Sequence, residues 1–448
     1  MAEVSSARGA AVSHPVYADF LARKATRASS DGHPCHPDEV HSFLHPWQRD
    51  LVAWAVRTGR AALWEDTGLG KTVQQLEWAR LSARRQALII APLAVCQQTI
   101  REATKLDIPA YYARNMDEVD HRYGDIAVTN YERLSGFLPH MFDAVVLDES
   151  SILKASDGKT RSMLIDWARD IPYRLACSAT PAPNDPEELT NQAEWLGRMS
   201  RTHMLAAYFI HDQDRWRLKK HAREPMYQWM SQWAVALRKP SDYGGDDTDY
   251  VLPGLDIRSH ILPVDIVPEG QLFATEIGGV TGRATVRRAT LAARVKRAAE
   301  LVAAEPNEPW LLWCGLNSES DALAVAIPGS VNVHGAMEPE EKARLLLAFA
   351  DGDIRVLITK PQIASLGMNW QHCARMAFVG IGDSYEQYYQ AIRRCYRYGQ
   401  KRVVQAHIIV SDLESQIVDN VRSKERQLSE VTDGLIRHTR RTREMLSA

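Results

Sequence analysis

Leu63-Trp64-Glu65-Asp66-Thr67-Gly68-Leu69-Gly70-Lys71-Thr72 decides the fold, because it joins an apolar run to a helical one through a glycine turn. Upstream, Ala61-Ala62-Leu63-Trp64 is strand-like. Downstream, Val73-Gln74-Gln75-Leu76-Glu77-Trp78-Ala79-Arg80 repeats its apolar residues at helical spacing. Strand, turn and helix in this order make a phosphate loop. Glycines at 68 and 70 let successive backbone N–H groups wrap a phosphate, and the start of the helix adds its partial positive charge. Lys71 then reaches the β- and γ-phosphates, and the Thr72 hydroxyl completes an Mg²⁺ shell. Glu65 stands where the first glycine of G-x-x-x-x-G-K-[ST] is expected, so the match is incomplete. A glycine turn that merely precedes Lys-Thr is the alternative at this point.

Working outward, the chain has 448 residues, 45% hydrophobic and 25% charged, an ordinary globular composition with room for two or three domains. Lys plus Arg number 54 against 56 Asp plus Glu, so a nucleic-acid surface must be local. Cys35, Cys96, Cys177, Cys314, Cys373 and Cys395 are scattered, several inside apolar runs, and read as buried free thiols of a reducing compartment. No apolar stretch reaches membrane-spanning length, and Met1 to Ser6 lacks a signal-peptide core. A cytoplasmic protein with no membrane partner is expected.

Before the loop, Tyr17 to Lys24 is a short helix candidate, and Ser29 to Pro34 has turn chemistry. His33, Cys35, His36, His41 and His45 crowd together, but one thiol without the paired spacings of a structural zinc site leaves a polar loop and a helix start. Leu44 to Val56 is an amphipathic helix opened by Pro46. Continuous apolar runs follow at Ala87–Ala91, Asp125–Thr129, Ala144–Leu147 and Tyr173–Cys177, separated by helical segments. Such alternation indicates a parallel sheet covered on both faces, hence an α/β lobe. Residues 187–239 turn helical and aromatic, and Ser241 to Asp249 reads as a linker or exposed excursion. A second α/β series has strands at Trp310–Trp313, Ser330–Val333, Arg355–Thr359, Met376–Val379 and Val404–Val410, with no second phosphate loop. The expected domains are an extension at 1–43, an ATP-binding lobe at 44–240, a linker or helical excursion at 241–300, a second lobe at 301–430 and a basic tail at 431–448. Two sheets with one phosphate loop imply two lobes sharing one nucleotide.

An NTPase also needs a carboxylate site, and Ala144-Val145-Val146-Leu147-Asp148-Glu149-Ser150-Ser151 supplies one at the end of a buried strand. Asp148 would hold Mg²⁺ and Glu149 would polarise the attacking water. Ser178-Ala179-Thr180-Pro181 follows another apolar strand. Its hydroxyls are candidates for coupling nucleotide state to the acidic pair, although in isolation the segment is only a turn. Gln390-Ala391-Ile392-Arg393-Arg394-Cys395-Tyr396-Arg397-Tyr398-Gly399-Gln400 places Arg394 and Arg397 three apart, on one helix face. They are either arginine fingers for a γ-phosphate across a cleft or part of a solvated or nucleic-acid-facing basic helix.

Taken in order, these motifs resemble the Swi/Snf-type branch of the superfamily-two helicase-like ATPases, in the small form found in phage and prophage genomes. The resemblance spans residues 44–430. Leu44 to Gln48 resembles the adenine-contacting glutamine motif, with Gln48 as its key residue. Glu65 to Thr72 resembles the family's Asp-Glu-Met-Gly-Leu-Gly-Lys-Thr form of motif I, which implies nucleotide contacts from Thr67, Gly68, Leu69, Gly70, Lys71 and Thr72. Asp148-Glu149-Ser150-Ser151 stands for the Asp-Glu-Ala-His box, Ser178-Ala179-Thr180-Pro181 for motif III, and Gln390 to Gln400 for motif VI. Within motif VI, Gln390 is expected at the nucleotide, with Arg394 and Arg397 as fingers. The family's DNA-contacting motifs map to Pro92, to Thr129, Asn130 and Tyr131, to His334 and Gly335, and to Gly367 and Asn369.

The resemblance implies two RecA-like parallel-sheet lobes in tandem with a small helical insertion, using ATP and Mg²⁺. Catalysis would fall to Lys71, Glu149, Arg394 and Arg397, metal binding to Thr72 and Asp148, and coupling to Ser178, Ala179 and Thr180. Loops at strand ends that hold phosphates without reading bases imply a sequence-nonspecific DNA partner, double-stranded in the favoured reading. A nuclease, methyltransferase or replication protein is a candidate partner, and a bacterial host cytoplasm follows for a phage-encoded chain. The chain departs from the family at Ser150-Ser151, at Ala364-Ser365 in motif V and at Arg393, where an aspartate is usual. Three functions stay open: a duplex DNA translocase, a strand-separating helicase, and a nucleotide-gated clamp with little turnover. The run from Arg437 to Arg443 is a basic patch for DNA or a solvated helix end.

Overall fold

The computed structural model describes residues 30–154, 158–212, 215–263, 287–363, 368–380, 382, 384–412 and 415–447. The helix expected at Tyr17–Lys24 lies outside them. In the first lobe, α1 (Pro46–Thr58) starts on a proline and stops at Gly59, whose φ of 76° turns the chain into β1 (Arg60–Glu65). Next come α2 (Lys71–Ser82), β2 (Ala87–Ala91), α3 (Leu93–Lys105), β3 (Ala110–Tyr112), β4 (Ile126–Asn130), β5 (Ala144–Asp148), α4 (Lys159–Ala168) and β6 (Tyr173–Cys177). The lobe continues with α5 (Leu189–Trp195), α6 (Arg201–Tyr208), an antiparallel hairpin of β7 (Phe209–Asp212) and β8 (Arg215–Leu218), α7 (Arg223–Met230) and β9 (Ala234–Leu237). The first sheet runs β3-β4-β2-β5-β6-β1-β9, and its pairings are parallel. Alternate residues of β2 feed two cores. Leu88 and Ile90 join Trp64 and Trp233 on one face, while Ala87 and Ile89 join Trp78 on the other. Burial on both faces is what makes these strands read as unbroken apolar runs.

The second lobe contains β10 (Leu255–Leu262), α8 (Leu291–Ala304), β11 (Trp310–Trp313), α9 (Asn317–Ala326), β12 (Val331–Asn332), α10 (Pro339–Asp351), β13 (Val356–Thr359), β14 (Arg375–Phe378), α11 (Tyr385–Ile392) and β15 (Val404–Ser411). Its sheet, β10-β15-β14-β11-β13-β12, is also parallel. The α/β class with two parallel-sheet lobes agrees with the sequence. The chain closes with α12 (Ser415–Ser447).

Three stretches differ from the sequence reading. Residues 187–239 hold a hairpin and β9 as well as helices, because Ala234-Val235-Ala236-Leu237 is too short for periodicity to separate strand from helix. Residues 241–300 include β10, which adds to the second sheet. The expected excursion is docked in part, since Asp242 and Tyr243 are buried. The Asp242 carboxylate accepts from Arg238 N at 2.8 Å and Lys239 N at 3.1 Å, which folds this segment onto the end of β9.

The basic tail expected at 431–448 is the second half of α12, laid against the first lobe. Val431, Leu435 and Ile436 fall on one helical face and join the first-lobe core, and Gly434 allows the Tyr227 ring to approach. Arg437 and His438 pair with Glu224, Arg440 with Asp242, and Arg443 with Asp50 while lying 4.9 Å over the Tyr243 ring. These partners use the positive charge that was a candidate for DNA. Among the described residues no helix is long and apolar enough to cross a membrane.

Candidate active site

Between β1 and α2 the chain turns on Gly68, with φ 90°, and Gly70, with φ 83°, both in the left-handed region that only glycine enters freely. Lys71 Nζ donates to Glu65 O at 2.7 Å and Asp66 O at 3.0 Å, so the lysine lies along the loop it is expected to serve. Gln48 braces the same loop. Its Nε2 donates to Leu69 O at 2.8 Å, while its Oε1 accepts from His45 N at 2.9 Å. Each end of the amide makes one hydrogen bond, which leaves Gln48 a second N–H and a second lone pair beside the loop. Glu65, in place of the first glycine, is buried and accepts from Gln74 Nε2 at 3.0 Å. Burial pushes its carboxyl up to about 8, against Lys71 and Gln74, so near neutral pH it is largely an uncharged brace. Thr67 and Thr72 are both partly buried, and Thr67 Oγ1 has no hydrogen-bond partner among the described residues.

Asp148 ends β5, where Gln75 Nε2 donates to its Oδ1 at 2.7 Å and the Tyr131 hydroxyl donates to its carbonyl. Glu149 follows with φ 53°, a strained conformation for a residue with a Cβ. Its buried Oε2 has no partner among the described residues. Burial and then Asp148 push the Glu149 carboxyl up to about 7, against the pull of Lys71 and Arg394. Orphaned oxygens on Thr67 and Glu149, a lysine at the loop and a carboxylate at the strand end form a donor and acceptor set that fits a nucleotide phosphate with its attacking water. In the 178–181 turn, Ser178 Oγ accepts from Thr180 N at 3.0 Å, and Thr180 Oγ1 is buried without a partner among the described residues. Ala179 lies between them, partly buried. The contact from this turn to the acidic loop runs through a residue the sequence reading missed. Gln192 Nε2, on α5, donates to Ser150 O at 2.9 Å and Pro181 O at 3.2 Å.

The second lobe meets this site through α11 and the turns after it. The helix expected through Gln400 stops at Ile392, so Arg394 and Arg397 sit on turns rather than on one helix face. Burial lowers the pKa of the Arg394 guanidinium, against the opposing pull of Glu149 on the first lobe. Arg397 Nη1 donates to Met368 O at 3.4 Å, its Nε is buried without a partner among the described residues, and burial followed by Arg394 lowers its pKa to about 10. Gln390 lies on α11, partly buried. Two further inter-lobe pairs were not foreseen: Lys154 with Glu386, and Asp66 with Arg393.

The expected DNA contacts separate into two groups. Pro92 caps α3, half-buried, His334 lies half-buried on its loop, and Gly335 and Asn369 are exposed on theirs. Gly367 lies outside the described residues. Thr129, Asn130 and Tyr131 are buried at 0%, 4% and 7% exposure, so their side chains do not offer a phosphate contact. They serve the interior instead: Asn130 Oδ1 accepts from the Tyr112 hydroxyl at 2.9 Å, and Tyr131 reaches Asp148. Among the described residues no group of three or more His, Cys, Asp or Glu is placed to hold a metal, the histidines at 33–45 included.

Comparison with known proteins places this geometry. Residues 47–199 match the SNF2-related domain, and residues 301–399 match the helicase conserved C-terminal domain, together more than half of the chain. Similar proteins include the mouse (Mus musculus) DNA annealing helicase and endonuclease ZRANB3, 26% identical over 177 residues, covering 36% of this chain and 16% of the relative. The Caenorhabditis elegans SWI/SNF-related matrix-associated actin-dependent regulator of chromatin subfamily A-like protein 1 homolog is 26% identical over 187 residues, covering 38% and 26%. The bovine (Bos taurus) DNA excision repair protein ERCC-6-like is 28% identical over 179 residues, covering 34% and 14%. The matched region is thus about a quarter or less of these relatives' length. A solved structure titled Sulfolobus solfataricus SWI2/SNF2 ATPase core in complex with dsDNA aligns over 90% of this chain and 96% of its own, at 18% identity and a TM-score of 0.42. With the nucleotide loop and acidic pair in a SNF2-related lobe and the arginine turns in a helicase C-terminal lobe, the chain belongs to the Swi/Snf-type branch of the superfamily-two helicase-like ATPases.

Proposed function

We propose that this ATPase is a motor that couples ATP hydrolysis to movement along duplex DNA without reading its sequence. The observation that carries the reading is that the two lobes meet at the nucleotide loop and the acidic pair: Tyr389 and Arg393 of the second lobe reach Asp66, and Glu386 pairs with Lys154 of the first. A site assembled from both lobes makes hydrolysis conditional on closure. Lys71 and the N–H groups of residues 67–72 hold the phosphates of ATP, with Gln48 and Gln74 keeping the loop in shape. Thr72 and Asp148 would hold Mg²⁺, which in such sites offsets phosphate charge. Glu149, once ionised, orients the attacking water and accepts its proton. Arg394 and Arg397 stabilise charge on the transferring phosphoryl group.

Once the γ-phosphoryl group leaves, nothing bridges the two arginines to Lys71, and opening then requires breaking side-chain pairs such as Asp66 with Arg393 and Lys154 with Glu386. Repeated closure steps the loops at Pro92, His334, Gly335 and Asn369 along a phosphate backbone. DNA as substrate is supported by the relatives, which carry the names of a DNA annealing helicase and a DNA excision repair protein. The six buried thiols support a reducing compartment. Steady-state ATP turnover without nucleic acid, with blunt duplex DNA, with single strands and with RNA tests the reading, with Lys71→Ala as blank. Stimulation by duplex, weakening steeply with salt, is expected. Stimulation by single strands alone would make it a strand-separating helicase, and none by any nucleic acid would make it a clamp.

A further inference from the structure

We propose that Arg393 is a positioning residue: through Asp66 it couples the second lobe to the phosphate loop and aims Arg394 at the reaction centre. The inference rests on the ATPase reading above. Asp66 is the first residue of the loop after β1, and both of its carboxylate oxygens are engaged. Oδ1 accepts from Thr67 N at 2.6 Å and from the Tyr389 hydroxyl at 2.5 Å, while Oδ2 accepts from Arg393 Nη2 at 2.5 Å. The carbonyl of Asp66 accepts from Lys71 Nζ at 3.0 Å. One residue therefore touches the phosphate-gripping lysine through its main chain and the second lobe through its side chain.

Arg393 is held as firmly on its own side. Its guanidinium lies 5.1 Å from the Tyr389 ring and 5.3 Å from the Tyr396 ring, a cation between two aromatic faces. The side chains of Arg393 and Asp66 are only 16% and 13% exposed, so solvent ions screen the pair weakly. Arg393 caps the C-terminal end of α11, and Glu386, in the first turn of the same helix, pairs with Lys154. The two ends of α11 are thus fastened to the first lobe, one beside the phosphate loop and one beside the acidic pair. Arg394 is the next residue, and its carbonyl accepts from Trp370 N at 2.9 Å. Ala391, Ile392 and Cys395 pack in the second-lobe core, so loss of the Asp66 contact leaves Arg394 placed by its own lobe alone and no longer tied to the phosphate loop. A cavity of about 190 Å³ lined by Trp64, Thr180, Tyr385 and Leu428 adjoins the pair, so packing does not fix that end from this side.

The test is a double-mutant cycle on ATP turnover, run with and without duplex DNA, using Arg393→Gln, Asp66→Asn and the double variant, with Arg393→Lys as the conservative change. Each single change should lower kcat about 10-fold or more while KM for ATP moves less than about 3-fold, and the double variant should be no worse than the worse single. Arg393→Lys should recover part of kcat. Losses that multiply in the double variant, or an unchanged kcat, overturn the assignment. If the wild type ignores duplex DNA but the cycle is non-additive, the translocase reading fails and the Arg393 assignment stands.

Lobe geometry gives a readout that needs no turnover. The native cysteines are buried, so dyes on Arg101→Cys and Val325→Cys report lobe separation. Arg393→Gln, Asp66→Asn and the double variant should shift energy transfer equally. No shift in any of them overturns the coupling.

Discussion

Replacing Glu149 with glutamine should stop turnover and at the same time stabilise the fold, by an amount that depends on pH. Burial and Asp148 push the Glu149 carboxyl from 4.5 up to about 7, and its Oε2 has no partner among the described residues. Between these two values the folded protein keeps a proton that the unfolded chain has released, so the contribution of this group to stability falls as pH rises through the window. Above pH 7 the penalty is complete. A displacement of this size corresponds to roughly 3 kcal/mol, and relaxation of the surroundings around the charge reduces the expectation to about 1–2 kcal/mol. Glutamine has nearly the same shape, keeps the strained backbone and removes the charge. Thermal unfolding of both proteins without nucleotide should show the variant higher by roughly 2–6 °C at pH 8. The gap should shrink to less than about half at pH 5.5, where most of the wild-type penalty has gone. ATP turnover should fall about 10²–10⁴-fold, the usual share of a general base. An equal gap at the two pH values, or a less stable variant at pH 8, would show that no ionised carboxylate is desolvated there.

Arg397→Ala should lower turnover about 10³-fold while ATP affinity, read by a fluorescent analogue, changes little, as for other arginine fingers; unaltered turnover removes Arg397 from the site. Gly70→Ala places a Cβ 2.5 Å from Gln48 Nε2 at a φ of 83°, so nucleotide binding in the same assay should be lost. Leu435→Ala empties a fully buried position in the first-lobe core and should cost about 2–4 kcal/mol in urea denaturation. A solvated tail would lose almost nothing.

The fold class was legible because its strands are buried on both faces and spell unbroken runs such as Ala87-Leu88-Ile89-Ile90-Ala91. What escaped depends on partners distant in sequence. β9 is a strand because β1 lies beside it, and β10 because β15 does. The two halves of α12 are one helix, but only the first lobe explains why the second half is apolar on one side. The active-site loop and the acidic pair were legible because each needs only its own few residues. Gln75 and Gln192 were not, since a glutamine carries no signal until its neighbour is known. Arg393 was a visible departure from the family's motif VI, yet its acidic partner lay in motif I, across the cleft. Thr129 to Tyr131 show the reverse: a motif match fixed where they sit in the chain but not which way the strand end turns them.

The packing of α12 has a consequence for how the polypeptide is made. Val431, Leu435 and Ile436 complete a core whose other buried members lie at or before residue 236. During synthesis the N-terminal lobe therefore emerges with an open apolar groove between β9 and α7, and it stays open while the whole second lobe is translated. Domains that emerge first ordinarily finish folding first. Here the first lobe finishes last, and a ribosome halted within the second lobe would hold a nascent chain that needs a chaperone.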